Sequence, residues 1–499
     1  MKTRLRLFIS ALLVLTMSFS FVAIAFAQDD RGALTAAGVF DELARQSGNQ
    51  TAQARIVTDN VESWYARWHM LSNAKKSLDV TYFIVEKDVF GMSMLGLLLK
   101  KAREGVKIRL MMDARGTKEL TRTFIGQDHL QELLAFPNVE IKTYNAVSQR
   151  LLSVIGNIRH LIGSNHDKII IADSEWFITG GRNVSMNYFV DPRDAGYVYR
   201  DTDVLFRSKG LAAEMQKAFD EEFNSHTAYV LKRDSFGNWV SRALDLEIAR
   251  RAMNAYMMGN GLLPGDNKIA AKYNEELSKY KHLQSYASYQ PFYGDRSYPA
   301  IVLDKHSFRG TRNDITPAVS AMIRFAKKEI IIQNPYVILT PEILKALKEA
   351  NDRGVNIIIH TNSPVSSDSL MTQAFFLEDW PNILKLLPTC KLYAFNGERK
   401  LHAKVFVFDR EITVAGTYNM DYMSEQINSE VVTAVKSTDF GQRMALRIAE
   451  DIKQSVEYKI KVNADGSVKE VFGPSSHSDP GKIKTLKLLK KMGFLKTII

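Results

Sequence analysis

Cysteine is almost absent: Cys390 is the single one in 499 residues. That excludes an internal disulfide framework and any cysteine-rich metal centre. Proline and glycine, at 13 and 28 residues, are too few for a collagen-like or mucin-like chain, and 45% hydrophobic residues exclude wholesale disorder. After residue 30 no stretch runs far enough without charge to cross a bilayer, which excludes a polytopic membrane protein. No H-E-x-x-H, cysteine pair or carboxylate cluster at metal-ligand spacing occurs, so neither a metal nor a cofactor is expected.

Positive charge is plentiful, with a formal net charge of +11. A basic surface favours anionic partners: phospholipid headgroups, nucleic acid or other phosphates. Lys2, Arg4 and Arg6 precede an uncharged run from Leu7 to Ala27 that closes on Ala25-Phe26-Ala27. This reads as a signal peptide over 1–27, leaving a mature charge of about +8. An uncleaved anchor is the alternative, and either puts the body outside the cytoplasm, periplasmic or secreted and possibly membrane-associated. The length allows two to four domains.

One unit is written twice. Ala74-Lys75-Lys76 leads into the apolar run Leu78 to Val85, a helical stretch, and Glu104-Gly105-Val106-Lys107-Ile108. Ala326-Lys327-Lys328 leads into Ile330 to Ile338, a helix opened by Thr340-Pro341-Glu342, and Arg353-Gly354-Val355-Asn356-Ile357. Each unit is strand, helix, strand, with glycine ending the helix. Val/Ile runs separated by amphipathic helices predict an α/β fold: two similar halves, each a mixed sheet flanked by helices. The expected organisation is 1–27 signal peptide, 28–225 first half, 226–295 helical linker, 296–457 second half, and 458–499 a hairpin around Asp465-Gly466 with a basic amphipathic tail.

Each half carries the pattern H-x-K-x(4)-D. His166, Lys168 and Asp173 recur as His402, Lys404 and Asp409, 236 residues on. Both copies continue to a glycine turn and an asparagine, Gly180-Gly181-Arg182-Asn183 and Gly416-Thr417-Tyr418-Asn419. In an extended strand residues i and i+2 share a face, so each histidine and lysine project together while the following apolar run is buried. Lysine supplies a cation for a phosphate oxygen and asparagine a neutral donor. The aspartates fall on the opposite parity and read as structural. A phosphoryl centre attacked by one imidazole needs a second group opposite to protonate the leaving oxygen, and a pseudo-twofold axis supplies it.

These paired motifs resemble those of the phospholipase D superfamily, over most of the mature chain. The contexts Gly-Gly-Arg-Asn and Gly-Thr-Tyr-Asn-Met-Asp-Tyr-Met-Ser-Glu-Gln-Ile-Asn-Ser-Glu look most like the bacterial cardiolipin synthase branch. The resemblance implies a phosphohistidine intermediate, two-step transfer and no required metal. His166 and His402 would be nucleophile and acid, with Lys168, Lys404, Asn183 and Asn419 binding phosphate. It also implies a downstream acid orienting each histidine: Glu430 in the second half and Asp201 as its counterpart in the first. An acid on the far nitrogen fixes the tautomer and stabilises the imidazolium.

Two further stretches could meet a membrane. Leu151 to Ile162 is an apolar lip before the first motif, and Lys482 to Lys496 alternates lysine with apolar residues. Each could equally pack on the body. His306 and the remaining histidines read as structural. The expectation is a monomeric phosphodiesterase or transphosphatidylase acting on phospholipids at an anionic membrane, most like a cardiolipin synthase. An exported nuclease of the same chemistry is the alternative, with nucleic acid as its substrate. A non-catalytic binding module is disfavoured, because it would not need both imidazoles.

Overall fold

β-Branched runs and helix-ending glycines act locally, and each repeat folds as they dictate. A computed structural model describes residues 34–117, 120, 128–145, 162–225, 227–233, 241–264, 267–307, 310 and 312–498. The leader over 1–27 and most of the apolar lip, 151–161, lie outside the described residues.

In the first half α1 (Ala36–Gln46) precedes β1 (Thr51–Val57) and α2 (Asn60–Asn73). The repeat unit is then β2 (Ser77–Ile84), α3 (Val89–Arg103) and β3 (Lys107–Gly116), followed by β4 (Val139–Tyr144). The motif strands are β5 (Ile169–Ala172) and β6 (Trp176–Gly180), with the short β7 (Tyr199–Arg200), β8 (Asp203–Arg207), α4 (Lys209–Phe223) and β9 (Ala228–Val230) after them. Two linker helices follow, α5 (Ala243–Met257) and α6 (Lys268–Leu277). The second half repeats the order: β10 (Ser297–Lys305), α7 (Ile315–Phe325), β11 (Glu329–Gln333), α8 (Pro341–Asp352), β12 (Asn356–Asn362), α9 (Leu370–Leu386) and β13 (Cys390–Phe395). It continues through β14 (Lys400–Leu401), β15 (Val405–Phe408), β16 (Ile412–Gly416), β17 (Glu430–Lys436), α10 (Thr438–Ile452), β18 (Ser455–Val462), β19 (Val468–Phe472) and α11 (Pro480–Leu489).

The caps explain the matching helices. Asp88 accepts from the Phe90 and Gly91 amides at the start of α3, and Thr340 accepts from Ile343 at the start of α8, whose first residue is Pro341. Gly105 and Gly354 end them with φ of 83° and 82°, a conformation costly for any residue with a Cβ.

The first half's sheet runs β9-β4-β3-β2-β5-β6-β8-β1, and the second runs β10-β17-β16-β15-β11-β12-β13-β18-β19. β2, β3 and β4 are parallel, as are β11, β12 and β13; the other pairs named here are antiparallel. The halves join where β1 pairs antiparallel with β10, Ala52 opposite Tyr298, which makes one 17-stranded sheet with a pseudo-twofold at its centre. The tail hairpin forms where Asp465-Gly466 turns, and its first strand extends the second sheet by pairing with β13.

Three apolar clusters hold this arrangement. One lies under α2 and α3, where α5 and α6 add Met253, Tyr256 and Tyr273. A second fills the other half, and α1 belongs to it: Ala36, Val39 and Phe40 pack with Ile301, Leu303 and Ile323. The N-terminal helix thus crosses to the half it does not precede. A third cluster is shared, with Met111, Phe177, Phe206 and Phe219 meeting Phe395, Val405, Phe440 and Met444. Each such side chain contributes about 1.5–3 kcal/mol on burial, so the shared cluster adds to what holds the halves together.

Candidate active site

His166 and Lys168 lie just before β5, and His402 and Lys404 just before β15. The strands that follow, Ile169–Ala172 and Val405–Phe408, are buried throughout. Each lysine curls back onto its histidine's backbone: Lys168 Nζ donates to the His166 carbonyl at 2.7 Å and Lys404 Nζ to that of His402 at 2.5 Å. Asp173 and Asp409 turn away, as their parity requires. Asp173 accepts from the amides of Lys75, Lys76 and Ser77, and Asp409 from those of Lys327, Lys328 and Glu329. Burial would raise the Asp173 carboxyl, but the three amides hold it below its ordinary value.

The orienting acids are Asp201 and Glu430, but they pair in the opposite sense from that expected. Glu430, from the second half, lies 2.9 Å from His166 Nδ1; Asp201, from the first, lies 2.7 Å from His402 Nδ1. The reason is a pair of symmetric strand contacts across the seam. β7 pairs in parallel with β14, Arg200 beside Leu401, so Asp201 follows next to His402. Asn165 bridges in parallel to Ser429, so Glu430 follows next to His166. The adjoining amides confirm the register: His402 N donates to Arg200 O at 2.8 Å and His166 N to Ser429 O at 3.2 Å. Each acid therefore serves the other half's histidine.

Three further residues position these acids. Thr417 Oγ donates to Glu430 at 2.5 Å and accepts from the Val431 amide. Its counterpart is Gly181, where a Cβ would stand 2.3 Å from an Asp201 oxygen. Glycine is thus needed for the Asp201 carboxylate to sit where it does. Arg182, wholly buried, donates to the Asp201 carbonyl at 3.0 Å and to Asp203 at 3.0 Å, fixing the loop that carries the acid. The comparison of Gly-Gly-Arg-Asn with Gly-Thr-Tyr-Asn held that asymmetry in plain view.

The asparagines are not equivalent. Asn183 accepts from the Ile84 amide at 3.1 Å and donates to the Tyr188 hydroxyl at 3.2 Å, so one amide proton remains free for a ligand. Asn419, also buried, leaves Oδ1 without a hydrogen-bond partner. Aromatic rings close the walls. Phe83 stands edge-on to His166 at 5.4 Å, and Tyr188 and Tyr199, stacked 4.3 Å apart, both stand edge-on to His402.

Burial and charge set the protonation. Burial, reinforced by Lys168 and Lys404 against the pull of Glu430, takes His166 down to about 4. His402 is lowered too, by burial and then by Lys404. Burial and the opposing lysine take Lys168 to about 7, and burial takes Lys404 to about 8. Each lysine feels the other half's groups, which places both motifs in one electrostatic site. Both carboxylates stay ionised despite burial because an imidazole faces each. With Nδ1–H donating to a carboxylate, an imidazole presents a lone pair at Nε2 when neutral and a proton there when charged, so one of the pair can attack while the other serves as acid.

The family model described as "Cardiolipin synthase, PLD-like domain" matches residues 68–225 and 319–452, more than half of the chain and both motifs. The chain belongs to the phospholipase D-like family. A cardiolipin synthase of Geobacillus sp. (strain WCH70) is 25% identical over 418 residues, covering 83% of this chain and 70% of that one. An uncharacterised protein of Helicobacter pylori (strain ATCC 700392 / 26695) is 23% identical over 435 residues, covering 84% and 82%. In fold, the chain superposes on the crystal structure of phosphatidylserine synthase from Haemophilus influenzae Rd KW20 with a TM-score of 0.59 at 12% identity, over 92% of this chain and all of that one. The phospholipase D-like chain is accordingly an enzyme of phosphodiester chemistry, built as two halves about one site.

Proposed function

We propose that the protein is a phospholipid transphosphatidylase, cardiolipin synthase-like, working through a phosphohistidine. The observation that carries this is the pair of buried imidazoles, each held at Nδ1 by a carboxylate of the other half and each with a buried lysine on its own backbone. Nε2 of one histidine attacks phosphorus, forming a P–N bond as the P–O bond to the first alcohol breaks. The other histidine, protonated, gives its proton to that departing oxygen. It then takes a proton from water or from an acceptor hydroxyl, such as the glycerol hydroxyl of phosphatidylglycerol, which attacks the phosphohistidine and frees the first imidazole. Lys168, Lys404, the free Asn183 amide proton and the Asn419 amide hold the phosphoryl oxygens, and the ammonium charges offset the charge that builds in the transition state.

A lipid substrate is supported by the surface beside His402. Tyr197, edge-on to Tyr199, is 46% exposed, and Val365 and Leu370 are 38% and 45% exposed. Lys400 lies 5.6 Å over the Tyr197 ring and donates to the Val365 carbonyl. The tail lies against this side of the molecule: α11 buries Ile483 and Leu486 on Ala374 of α9, while Lys484, Lys487, Lys491 and the 63% exposed Leu488 face solvent. Packing and an outward basic face coexist in one helix, and that face suits an anionic bilayer. Export, read from residues 1–27, would place the enzyme at a membrane's outer side.

Incubating the purified protein with phosphatidylglycerol, phosphatidylethanolamine and plasmid DNA separates the readings. Cardiolipin and a free alcohol are the expected products. Cleaved DNA with no new lipid would assign the same chemistry to a nuclease.

A further inference from the structure

On the outer side of the first motif, within electrostatic reach of Asp167, the last helix of the first half meets the end of the second half's first strand at Glu221, Asp304 and His306. His306 Nε2 lies 2.9 Å from Glu221 Oε2 and 3.3 Å from Asp304 Oδ2, and one ligand-type atom from each residue falls within 4.8 Å of the other two. Asp304 is wholly buried, yet neither of its carboxylate oxygens accepts a hydrogen bond. A buried carboxylate left in that state is costly unless a cation is supplied. Arg312 is the permanent cation beside this group. It is already committed to Asp314 through Nε at 2.6 Å, with Nη1 3.1 Å from Glu221 and 3.8 Å from Asp304. Three carboxylates therefore share one guanidinium and the His306 imidazole, with Lys305 in electrostatic reach, and the Asp304 oxygens are the ones left without a hydrogen bond.

From this geometry we infer that Glu221, Asp304 and His306 form a structural zinc site that clips the two halves together. One imidazole and two carboxylates from separate elements are a ligand set that zinc takes readily. Metal–ligand bonds of about 2.0–2.1 Å at tetrahedral angles put neighbouring ligand atoms about 3.3 Å apart. The His306–Asp304 separation already has that value, and His306–Glu221 needs to open only slightly. Glu221 and His306 are partly exposed, so the ion enters from solvent and water fills the fourth position, with Arg312 Nη1 swinging out while Nε keeps Asp314. The metal would tie α4 to β10 across the seam, remote in role from the phosphoryl chemistry.

The test uses the full-length protein stripped with EDTA and titrated with zinc chloride alone, followed by calorimetry and thermal melting. One zinc per chain with micromolar or tighter affinity is expected, with a melting temperature that rises as zinc exceeds the dissociation constant. Glu221→Gln and His306→Ala should each weaken binding at least about 100-fold, whereas His166→Ala/His402→Ala, which removes the other imidazole pair, should bind as the wild type does. Asp304→Asn is the near-isosteric check, and it should also lose the zinc-dependent melting shift. Absence of stoichiometric zinc binding by the wild type would overturn the proposal. So would wild-type affinity in both Glu221→Gln and His306→Ala, or loss of binding only in the His166→Ala/His402→Ala protein.

Discussion

Replacing Glu430 by Gln tests the crossed pairing directly. The side chain keeps its shape and can still meet Thr417, but the charge facing His166 Nδ1 is gone. Glu430 is wholly buried, so little solvent screens that charge. Removing one partner of a buried, hydrogen-bonded ion pair costs about 3–5 kcal/mol. The pair reaches full strength only when His166 is an imidazolium, as it must be during proton transfer or while it carries a phosphoryl group. The loss therefore falls on the barrier, and turnover should drop by about 10²–10⁴-fold. The assay is acid-free quenching of the enzyme on a phosphate-labelled lipid, with trapped phosphohistidine counted and mapped by peptide. Because Glu430 serves His166, Glu430→Gln must share the trapping phenotype of His166→Ala, and Asp201→Asn that of His402→Ala, whichever histidine attacks first. If Glu430→Gln instead traps or fails to trap as His402→Ala does, each acid acts within its own half and the reasoning is refuted.

Five other outcomes are expected. The specificity constant kcat/KM should fall as pH rises through about 7 to 8, because Lys168 and Lys404 then lose the protons that bind phosphate; bound phosphate holds those protons, so the limb in kcat should lie higher, and a kcat/KM flat to about pH 9 would refute it. Gly181→Ala forces the Asp201 carboxylate off its place, so turnover should drop by about 10²-fold with the protein still folded by circular dichroism, while Thr417→Val, losing a hydrogen bond to a buried charge, should cost about 1.5–3 kcal/mol of barrier in the same turnover assay. Asp173→Ala removes the acceptor of three backbone amides, so melting should fall by the equivalent of about 1–2 kcal/mol with kcat unchanged. Deleting Lys482 to Ile499 strips cover from Ala374 and Leu377, so melting temperature and binding to anionic vesicles should both fall, the latter most at low salt.

The repeat, the mixed sheets and the site's chemical groups were all legible in the sequence because each is local. A Val/Ile run and a helix-ending glycine declare their element within a few residues, and each H-x-K-x(4)-D motif lies within one short stretch. The pairing of Glu430 with His166 was not legible, because it depends on β7 meeting β14 and Asn165 meeting Ser429, contacts more than 200 residues apart along the chain. Parity says which face a residue takes within its own strand and nothing of which strand lies opposite. The position of α1 was hidden for the same reason: its amphipathic stripe declares a buried face but not the half that covers it. Arg182, Tyr188 and Tyr199 act through tertiary contacts, and an arginine after a glycine pair has no period to betray it.

The exchange of acids across the seam has an inheritance to it. Two identical subunits exchanging carboxylates in this way would be bound to keep both ends of the cleft alike, since any change in one would appear in its twin. Threading both through one polypeptide releases that constraint. Here the ends have already diverged: Gly181 and Arg182 stand behind Asp201 where Thr417 stands by Glu430, and a tyrosine pair flanks one imidazole where, among the described residues, a phenylalanine flanks the other. A fused, crossed pair thus lets one end of the cleft be tuned to hold phosphorus and the other to meet the alcohol oxygens, without giving up either imidazole.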